Sequence, residues 1–255
     1  TFNESANAPV FTNSVNAALY PIYPMGFLQS GATGVEDGCA YFGGAAARGV
    51  INGSRELIPA TNDFTLAFWA GVPAAAQPVE QYLFSNYGIW DGRLNVMANL
   101  DNTTNTLCFF FGPQETATYK IFSTNTFADG EWHHVALTRA NGAFSLWMDG
   151  ALEGSVACDE TNRIGQVLDW YIGSSSGESQ GQTAQGAFMD DLRIYDGALR
   201  ANQIAELAAS VTPGAAPTCP AAPSGATALP SALGTQVAHA YACDAPIGPP
   251  SLLAT

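Results

Sequence analysis

The chain has 255 residues, enough for one large domain or two small ones, and it is strongly acidic. Eight basic residues stand against 22 acidic ones, which gives a formal net charge of −14. This charge argues against nucleic acid and anionic membranes as partners, because both bind basic surfaces. No apolar run of about 18 residues occurs, so the sequence predicts no membrane insertion.

Several local features favour a secreted protein. Residues 1–7 are mostly polar and carry no basic residue, so we interpret the chain as a mature form that begins after a cleavage site. Three glycosylation acceptor triplets begin at Asn3, Asn52 and Asn102. An acidic surface also fits a secreted protein that stays dissolved by self-repulsion, or one that binds Ca²⁺.

The five cysteines show no metal-type C-x-x-C spacing. In a secreted chain this count predicts two disulfides and one extra cysteine. Cys219 and Cys243 could close a loop in the C-terminal region, and Cys108 and Cys158 are the other candidates for disulfide bonds. The count alone leaves the pairing open.

The first half of the chain reads as short strands separated by turns. Residues 1–20 predict an edge strand or an arm. Residues 63–70 alternate, so that Phe64, Leu66 and Phe68 share one face of a strand. Further strands are predicted at 39–44, 82–85, 94–97, 107–111 and 119–122, with Gly-rich or Asn/Thr-rich turns between them.

Residues 129–150 form the most strongly patterned stretch and predict a β-hairpin. The arms are residues 132–139 and 144–149, and the turn contains Asn141-Gly142, which tolerates positive φ angles. In the second arm Phe144, Leu146 and Met148 alternate with polar residues and Trp147.

After the hairpin the sequence predicts a polar loop, strands at 169–173 and 188–195, and a loop over 174–186. A short helix is predicted at 198–209. Many short strands with almost no helix predict an all-β, two-sheet antiparallel sandwich. Residues 211–255 are rich in Pro, Ala, Gly and Ser and cannot build a core of their own. We therefore predict a sandwich domain over 1–210 and an irregular tail over 211–255.

Four stretches resemble the laminin-G-like domains of the concanavalin-A-like jelly-roll superfamily, and they occur in the family's order. They are residues 63–69 (DFTLAFW), residues 130–139 with 145–150, residues 171–173 (YIG) and residues 186–199. Residues 39–44 (CAYFGG) match a fifth motif, with Gly43 in the place of an Asp. The resemblance spans about residues 35–208 and implies a jelly roll of roughly twelve to fourteen strands. It implies little about activity, since the fold hosts lectins, adhesion modules and glycosidases.

Asp190 is the first candidate site residue. Its parity in residues 188–195 places it with Phe188, Leu192 and Ile194 on the predicted apolar face, where a carboxylate needs a partner. The resemblance implies a structural Ca²⁺ at the sandwich edge with an acid at this position. Ca²⁺ takes six to eight oxygen ligands, so loop acids such as Glu36 and Asp37 are further candidates. The alternative is a carboxylate that accepts hydrogen bonds from backbone amides, and Gly43 weakens the calcium reading.

Other residues suggest catalysis or glycan binding less strongly. His133 and His134 are adjacent in a strand and point to opposite faces, so they cannot bind one metal ion together. The sequence shows no E-x-D-x-E series, which the glucanases of this fold place on one strand, so we expect no enzymatic activity. Trp147 and Trp90 could stack on sugar rings, and the alternative for both is packing.

These observations predict a non-catalytic extracellular structural or adhesion protein. It could be a repeating subunit of a surface fibre or matrix assembly, joined through its N-terminal arm and C-terminal tail, with itself or other extracellular proteins as partners. The alternative is a carbohydrate-binding, lectin-like module that recognises glycans, with Ca²⁺ as a candidate cofactor.

Overall fold

A computed structural model describes residues 2, 4, 8–14, 16, 19–35, 37–44, 46–74, 79–86, 92–114, 117–159, 161–175 and 183–212. These residues form two seven-stranded antiparallel sheets stacked face to face, which confirms the predicted jelly-roll sandwich. Among the described residues, no helix has the length and apolar character needed to cross a membrane. The tail from residue 213 lies outside the described residues, so the predicted domain boundary at 210–211 stays a prediction.

The strands are numbered in chain order. Sheet one contains, in spatial order, β1 (Ile22–Met25), β4 (Arg48–Ile51), β13 (Trp170–Ile172), β6 (Gln81–Ser85), β7 (Arg93–Ala98), β8 (Thr106–Gln114) and β9 (Ala117–Thr126). Sheet two contains β12 (Ala151–Ala157), β11 (Ala143–Met148), β10 (Trp132–Ala140), β5 (Phe64–Gly71), β14 (Phe188–Asp196), β3 (Gly38–Phe42) and β2 (Leu28–Thr33). A short 3₁₀ segment covers Leu100–Asn102, and helix α1 covers Ala201–Ala209.

The predicted hairpin is present as β10 and β11. Asn141 and Gly142 have φ angles of 48° and 74°, the paired positive values that a two-residue hairpin turn requires. Leu137 lies opposite Leu146 in the register of the two strands. The predicted alternation holds because Leu146 and its inward neighbours pack in the core between the sheets.

Aromatic rings fill the centre of the core. The ring of Phe144 lies 4.8 Å from Phe109 and 5.0 Å from Phe111, between centroids, and so joins sheet two to sheet one. The guanidinium of Arg139 lies 5.4 Å from the same ring and is fully buried. Its Nη1 and Nη2 atoms donate to the carbonyl oxygens of Ala60 and Asn162, which replaces the lost hydration of this charge.

Each long side of the sandwich is closed by specific contacts. On one side, the Glu153 carboxylate of β12 accepts hydrogen bonds from Thr124 and Asn125 at the end of β9, so the edges of the two sheets are tied together. On the other side, Phe2 and Phe11 of the N-terminal segment are fully buried in the core. Residues 1–20 were predicted as an edge strand or an arm, and the described residues among them form an arm.

Four strands were not predicted from the sequence: β1, β2, β4 and β12. Helix α1 matches the predicted helix, and it covers part of the outer face of sheet two. Ile204 and Leu207 pack there against Ala67, Ala136 and Tyr195. The helix thereby buries the Tyr195 side of β14 under a second layer of side chains.

Candidate functional site

The candidate binding site is a pocket of about 180 Å³ on the outer face of sheet one. We call it the sheet-one pocket. It lies over strands β6 to β9, which pair as neighbours in the order β6-β7-β8-β9. Its floor is formed by Tyr82, Asn95, Met97 and Phe110, together with Leu100. Because side chains alternate along a strand, the residues between these positions point into the core instead.

Two cations and two carboxylates complete the lining: Arg93, Lys120, Glu80 and Asp101. Lys120 is the only lysine in the chain. Its Nζ lies 2.6 Å from the Asp101 carboxylate and 5.7 Å from the centroid of the Phe110 ring. The pocket therefore presents both signs of charge beside an aromatic ring.

Arg93 lies over the Phe110 ring in the pocket. Its guanidinium carbon is 4.9 Å from the centroid of the Phe110 ring, a cation–π contact, and the residue is only 9% exposed. Gly112 lies opposite Arg93 in the register, and its lack of a side chain leaves room for the Arg93 side chain. A Cβ at residue 112 would lie 2.8 Å from the Arg93 Nε atom.

Sequence reasoning missed this pocket, although a signal for it exists. Alternation in β7 places Arg93, Asn95 and Met97 on the outer face, and the single lysine falls on the same face of β9. These positions carry a cation, an amide and a thioether, not an alternating series of acids. The two carboxylates of the pocket come from the segments next to the strands: Glu80 precedes β6 and Asp101 follows β7.

The structure corrects the predicted orientation of Asp190. The ladder between β14 and β5 shifts register between Asp190 and Arg193, and Asp191 has a φ of 50°, so a β-bulge reverses the alternation. Leu192 and Ile194 point into the core, whereas Phe188 packs in a cluster on the outer face. Asp190 therefore does not share a face with Leu192 and Ile194.

The Asp190 carboxylate is fully buried and accepts hydrogen bonds from backbone amides. Oδ2 accepts from the Val35 N–H at 2.9 Å, and Oδ1 accepts from the Asp191 N–H at 2.7 Å. This geometry fits the alternative of an amide-capping carboxylate. Asp37 is exposed, and Glu36 lies outside the described residues. The described residues contain no group of three or more acidic, His or Cys side chains placed to hold a metal. The calcium site stays a prediction.

Next to it, Asp191 forms a buried ion pair with Arg193. The Arg193 Nη2 atom lies 2.8 Å from Asp191 Oδ2, and Nε donates to Oδ1 at 2.9 Å. Burial alone would lower the pKa of Arg193, but the neighbouring Asp191 carboxylate raises it. Both side chains are only about 5% exposed, so the pair is a buried structural contact of sheet two.

The two adjacent histidines have different environments, as their opposite faces predict. His133 lies between two carboxylates, with Nδ1 at 2.7 Å from Asp149 and Nε2 at 3.2 Å from Asp129. Carboxylates only accept hydrogen bonds, so both contacts together require an imidazolium. Burial would lower the pKa of His133, but the two aspartates raise it above its usual value. His134 is buried beside Trp69, and burial lowers its pKa to about 4.

The described cysteines are not bonded to one another. Cys39, Cys108 and Cys158 carry free thiols among the described residues, and the predicted disulfides that involve Cys219 or Cys243 stay a prediction. Cys108 is fully buried beside the floor of the pocket, and burial raises its pKa to about 11. A cysteine count does not show whether two Cβ atoms come within the roughly 4.5 Å that a disulfide needs. Cys219 and Cys243 lie outside the described residues.

The remaining predicted site residues are placed as follows. The Trp147 indole N–H donates to Thr138 at 3.2 Å, and its ring packs beside the α1 cluster, so a glycan contact there stays a prediction. Asn52 is exposed, as glycosylation requires, and its glycosylation stays a prediction. Trp90, Asn3 and the side chain of Asn102 lie outside the described residues.

A laminin G family model, described as the concanavalin A-like lectin/glucanases superfamily, matches residues 44–205. The chain belongs to this superfamily. A search of curated proteins finds no significant match.

Solved structures of two toxin binding domains show the same fold at low sequence identity. The receptor binding domain of botulinum neurotoxin D is 10% identical with a TM-score of 0.59, over 82% of this chain and 54% of that one. The binding domain of Paraclostridial Mosquitocidal Protein 1 is 14% identical with a TM-score of 0.57, over 82% and 53%. A heptameric SAP-like pentraxin from Limulus polyphemus is 19% identical with a TM-score of 0.46, over 59% and 71%. The chain spans about half the length of the two toxin domains.

Proposed function

We propose that the chain is a non-catalytic, extracellular binding module of the adhesion or lectin type, and that the sheet-one pocket holds its ligand. The observation that supports this best is the pocket's composition, an aromatic and amide floor beside cations and carboxylates, on a sandwich of the lectin superfamily. The structural neighbours named as binding domains of toxins agree with a binding role. An extracellular location is expected of a laminin-G-like domain.

The chemistry of the pocket favours a glycan as the ligand. Its volume of about 180 Å³ is below the range of about 300–1,000 Å³ that holds a drug-sized molecule, so it suits a single ring. The Asn95 amide and the two carboxylates offer partners for hydroxyl groups, and Tyr82 offers an apolar ring face. These are the two kinds of contact by which proteins bind sugars.

A glycan array tests this function. We expect the wild-type chain to bind a defined set of glycans, and Lys120→Met or Arg93→Met to weaken binding about tenfold or more, the loss of one charge-assisted contact. Arg163→Met is the matched control, because Arg163 is exposed and lies outside the pocket lining. Unchanged binding in both pocket variants, or no bound glycan, would contradict the proposal. Hydrolysis of a bound glycan would contradict its non-catalytic part.

Calcium dependence belongs to the same proposal and has its own measurement. Thermal melting and array binding are compared with Ca²⁺ and with a chelator. A calcium site that includes Asp190 predicts a lower melting temperature in chelator, and Asp190→Asn removes this difference. Equal melting curves in the two buffers would rule out a structural calcium ion.

A second candidate function is a repeating subunit of an extracellular assembly. The observation that favours it is the N-terminal arm, which is held in the fold by two aromatic side chains. Light scattering and electron microscopy across a range of protein concentrations test it. Isolated monomers at every concentration would refute an assembly.

A further inference from the structure

The N-terminal arm spans the open side of the sandwich from one sheet to the other. In sheet two, the Phe2 N–H donates to the Gly38 carbonyl, and the Gly31 N–H donates to the Phe2 carbonyl. In sheet one, Phe11 pairs with Ile22 of the edge strand β1 in an antiparallel bridge. The arm thus occupies an acceptor groove that has β1 on one wall and β2 with β3 on the other.

Two aromatic side chains hold the arm in this groove. Phe2 and Phe11 are both fully buried, and their rings meet edge to face with centroids 5.5 Å apart. Ala8 and Val10 between them are partly buried against the same core. Without the arm, the groove would leave these apolar contacts open to water, so it demands an apolar, aromatic-bearing segment as its occupant.

Backbone pairing contributes little to the arm's attachment. The four main-chain hydrogen bonds that join Phe2 and Phe11 to the strands measure 3.3–3.4 Å, near the long limit for such bonds. Two residues beyond Ile22, on the same free edge of β1, Pro24 has no N–H to offer. The fit of its rings therefore holds the arm in the groove more than its backbone hydrogen bonds do.

Described residues between Phe11 and β1 make hydrogen bonds of the kind found in turns. The Leu19 N–H donates to the Asn16 carbonyl, and the Asn16 N–H donates to the Asn13 side chain. Tyr20 follows with a φ of 49°, a backbone value that favours Gly or Asn. Such a link changes direction through a few dihedral angles, which is the property of hinges in domain-swapped proteins.

We propose that the acceptor groove receives the N-terminal arm of a second copy of this chain, so that subunits join by arm exchange. The partner's arm reproduces each contact described above, because the groove and the arm come from one sequence. This inference rests on the second candidate function and gives it a mechanism. It is independent of the sheet-one pocket.

Cysteine cross-linking tests arm exchange in the full chain. Val10 and Tyr23 are the residues next to the Phe11–Ile22 bridge, opposite each other in an antiparallel register. Full-length Val10→Cys and Tyr23→Cys variants are mixed, refolded together at high concentration and oxidised. A disulfide between positions 10 and 23 can then form only between chains. We expect mass spectrometry to find this cross-linked peptide in a covalent dimer.

The double variant Val10→Cys/Tyr23→Cys controls the geometry, since its arm can form the same bond within one chain. An internal bond in the double variant without any cross-link in the mixture overturns arm exchange. No bond in either sample also overturns it, because the arm then does not lie beside β1.

Two further variants test the aromatic anchor. Phe11→Ser in the Val10→Cys chain is expected to abolish the cross-link, whereas Val79→Ser, at an exposed apolar residue, leaves it unchanged. Equal cross-linking in both overturns the role of the anchor. Oligomers that persist without a 10–23 cross-link refute arm exchange but leave the assembly proposal intact.

Discussion

The carboxylate of Glu153 offers a direct test of how the two sheets are tied along their β9/β12 side. Oε2 accepts from the Thr124 N–H at 2.7 Å, the Thr124 hydroxyl at 2.8 Å and the Asn125 N–H at 3.3 Å, while Oε1 accepts from the Asn125 amide at 2.7 Å. Glu153 is only 9% exposed, so water replaces little of this coordination. Glu153→Ala removes all four contacts, and Glu153→Gln keeps the shape without the charge.

The expected loss follows from these contacts. A hydrogen bond to a charged group contributes about 1.5–3 kcal/mol, and contributions that converge on one carboxylate are not additive. We therefore expect Glu153→Ala to lower the free energy of unfolding by about 3 kcal/mol, and Glu153→Gln by about 2 kcal/mol. Against a typical stability of about 5–15 kcal/mol, either change is easily measured.

The effect also depends on pH in a defined direction. Burial would raise the pKa of Glu153, but the hydrogen bonds from Asn125 and Thr124 outweigh it and lower the pKa. A carboxyl whose pKa is lower in the folded state stabilises the fold above its unfolded pKa of about 4.3 and loses this effect as the pH falls through the folded value. The stability difference between wild type and Glu153→Gln should shrink in acid.

Urea denaturation at pH 7 and in steps down to pH 3 measures both quantities. Glu56→Gln is the control, because Glu56 is an exposed acid. A loss below about 0.5 kcal/mol for Glu153→Ala would refute the reasoning, since that is the range of an ordinary surface substitution. A wild-type–variant difference that grows in acid would refute the assignment of the pKa shift.

Three other predictions concern His133, the buried ion pair of Asp191 with Arg193, and the contact of Gly173 with Phe42. NMR titration should give His133 a pKa above 6.5, because two carboxylates contact its ring. The free energy of unfolding that wild type gains over His133→Gln should be full below pH 6.5 and should decline as the pH rises through the pKa of the folded state. A pKa below 6.5 would contradict the double carboxylate contact. Asp191→Asn should destabilise the chain by about 3–5 kcal/mol, because it leaves the buried Arg193 charge without its carboxylate; a denaturation midpoint near wild type would refute this. Gly173→Ala should cost about 2 kcal/mol or more, since its Cβ would lie 2.1 Å from the Phe42 ring at a φ of 75°; an unchanged melting temperature would show that the ring moves freely.

Alternating faces account for the part of the fold that sequence reasoning predicted. The inward positions of β5, β11 and β8 follow from the period of two, and Asn141-Gly142 marks the turn of the central hairpin. The many short strands predicted two sheets, the laminin-G-like motifs added the jelly roll, and the structure confirms both. Periodicity failed at Asp190, because one bulged residue, Asp191, reverses every face beyond it.

The sheet-one pocket could not be predicted from the sequence for a different reason. Arg93, Phe110 and Lys120 are far apart in the chain and come together only because β7, β8 and β9 pair as neighbours. The cysteine count also left the disulfide pairing open, and only the structure shows that Cys108 and Cys158 are not bonded to each other. Likewise, no local pattern indicates that Phe2 closes the side of the sandwich.

The sequence by itself determined which side chains face inward along the regular strands, where the central hairpin turns, and the net charge of the chain. These properties depend on backbone geometry and composition, which act over a few residues or over the chain as a sum. The tertiary structure alone decided which outward side chains share a pocket, which carboxylates meet amides, and where the arm lies. Those neighbours are set by strand order and register, which arise from packing the whole core at once.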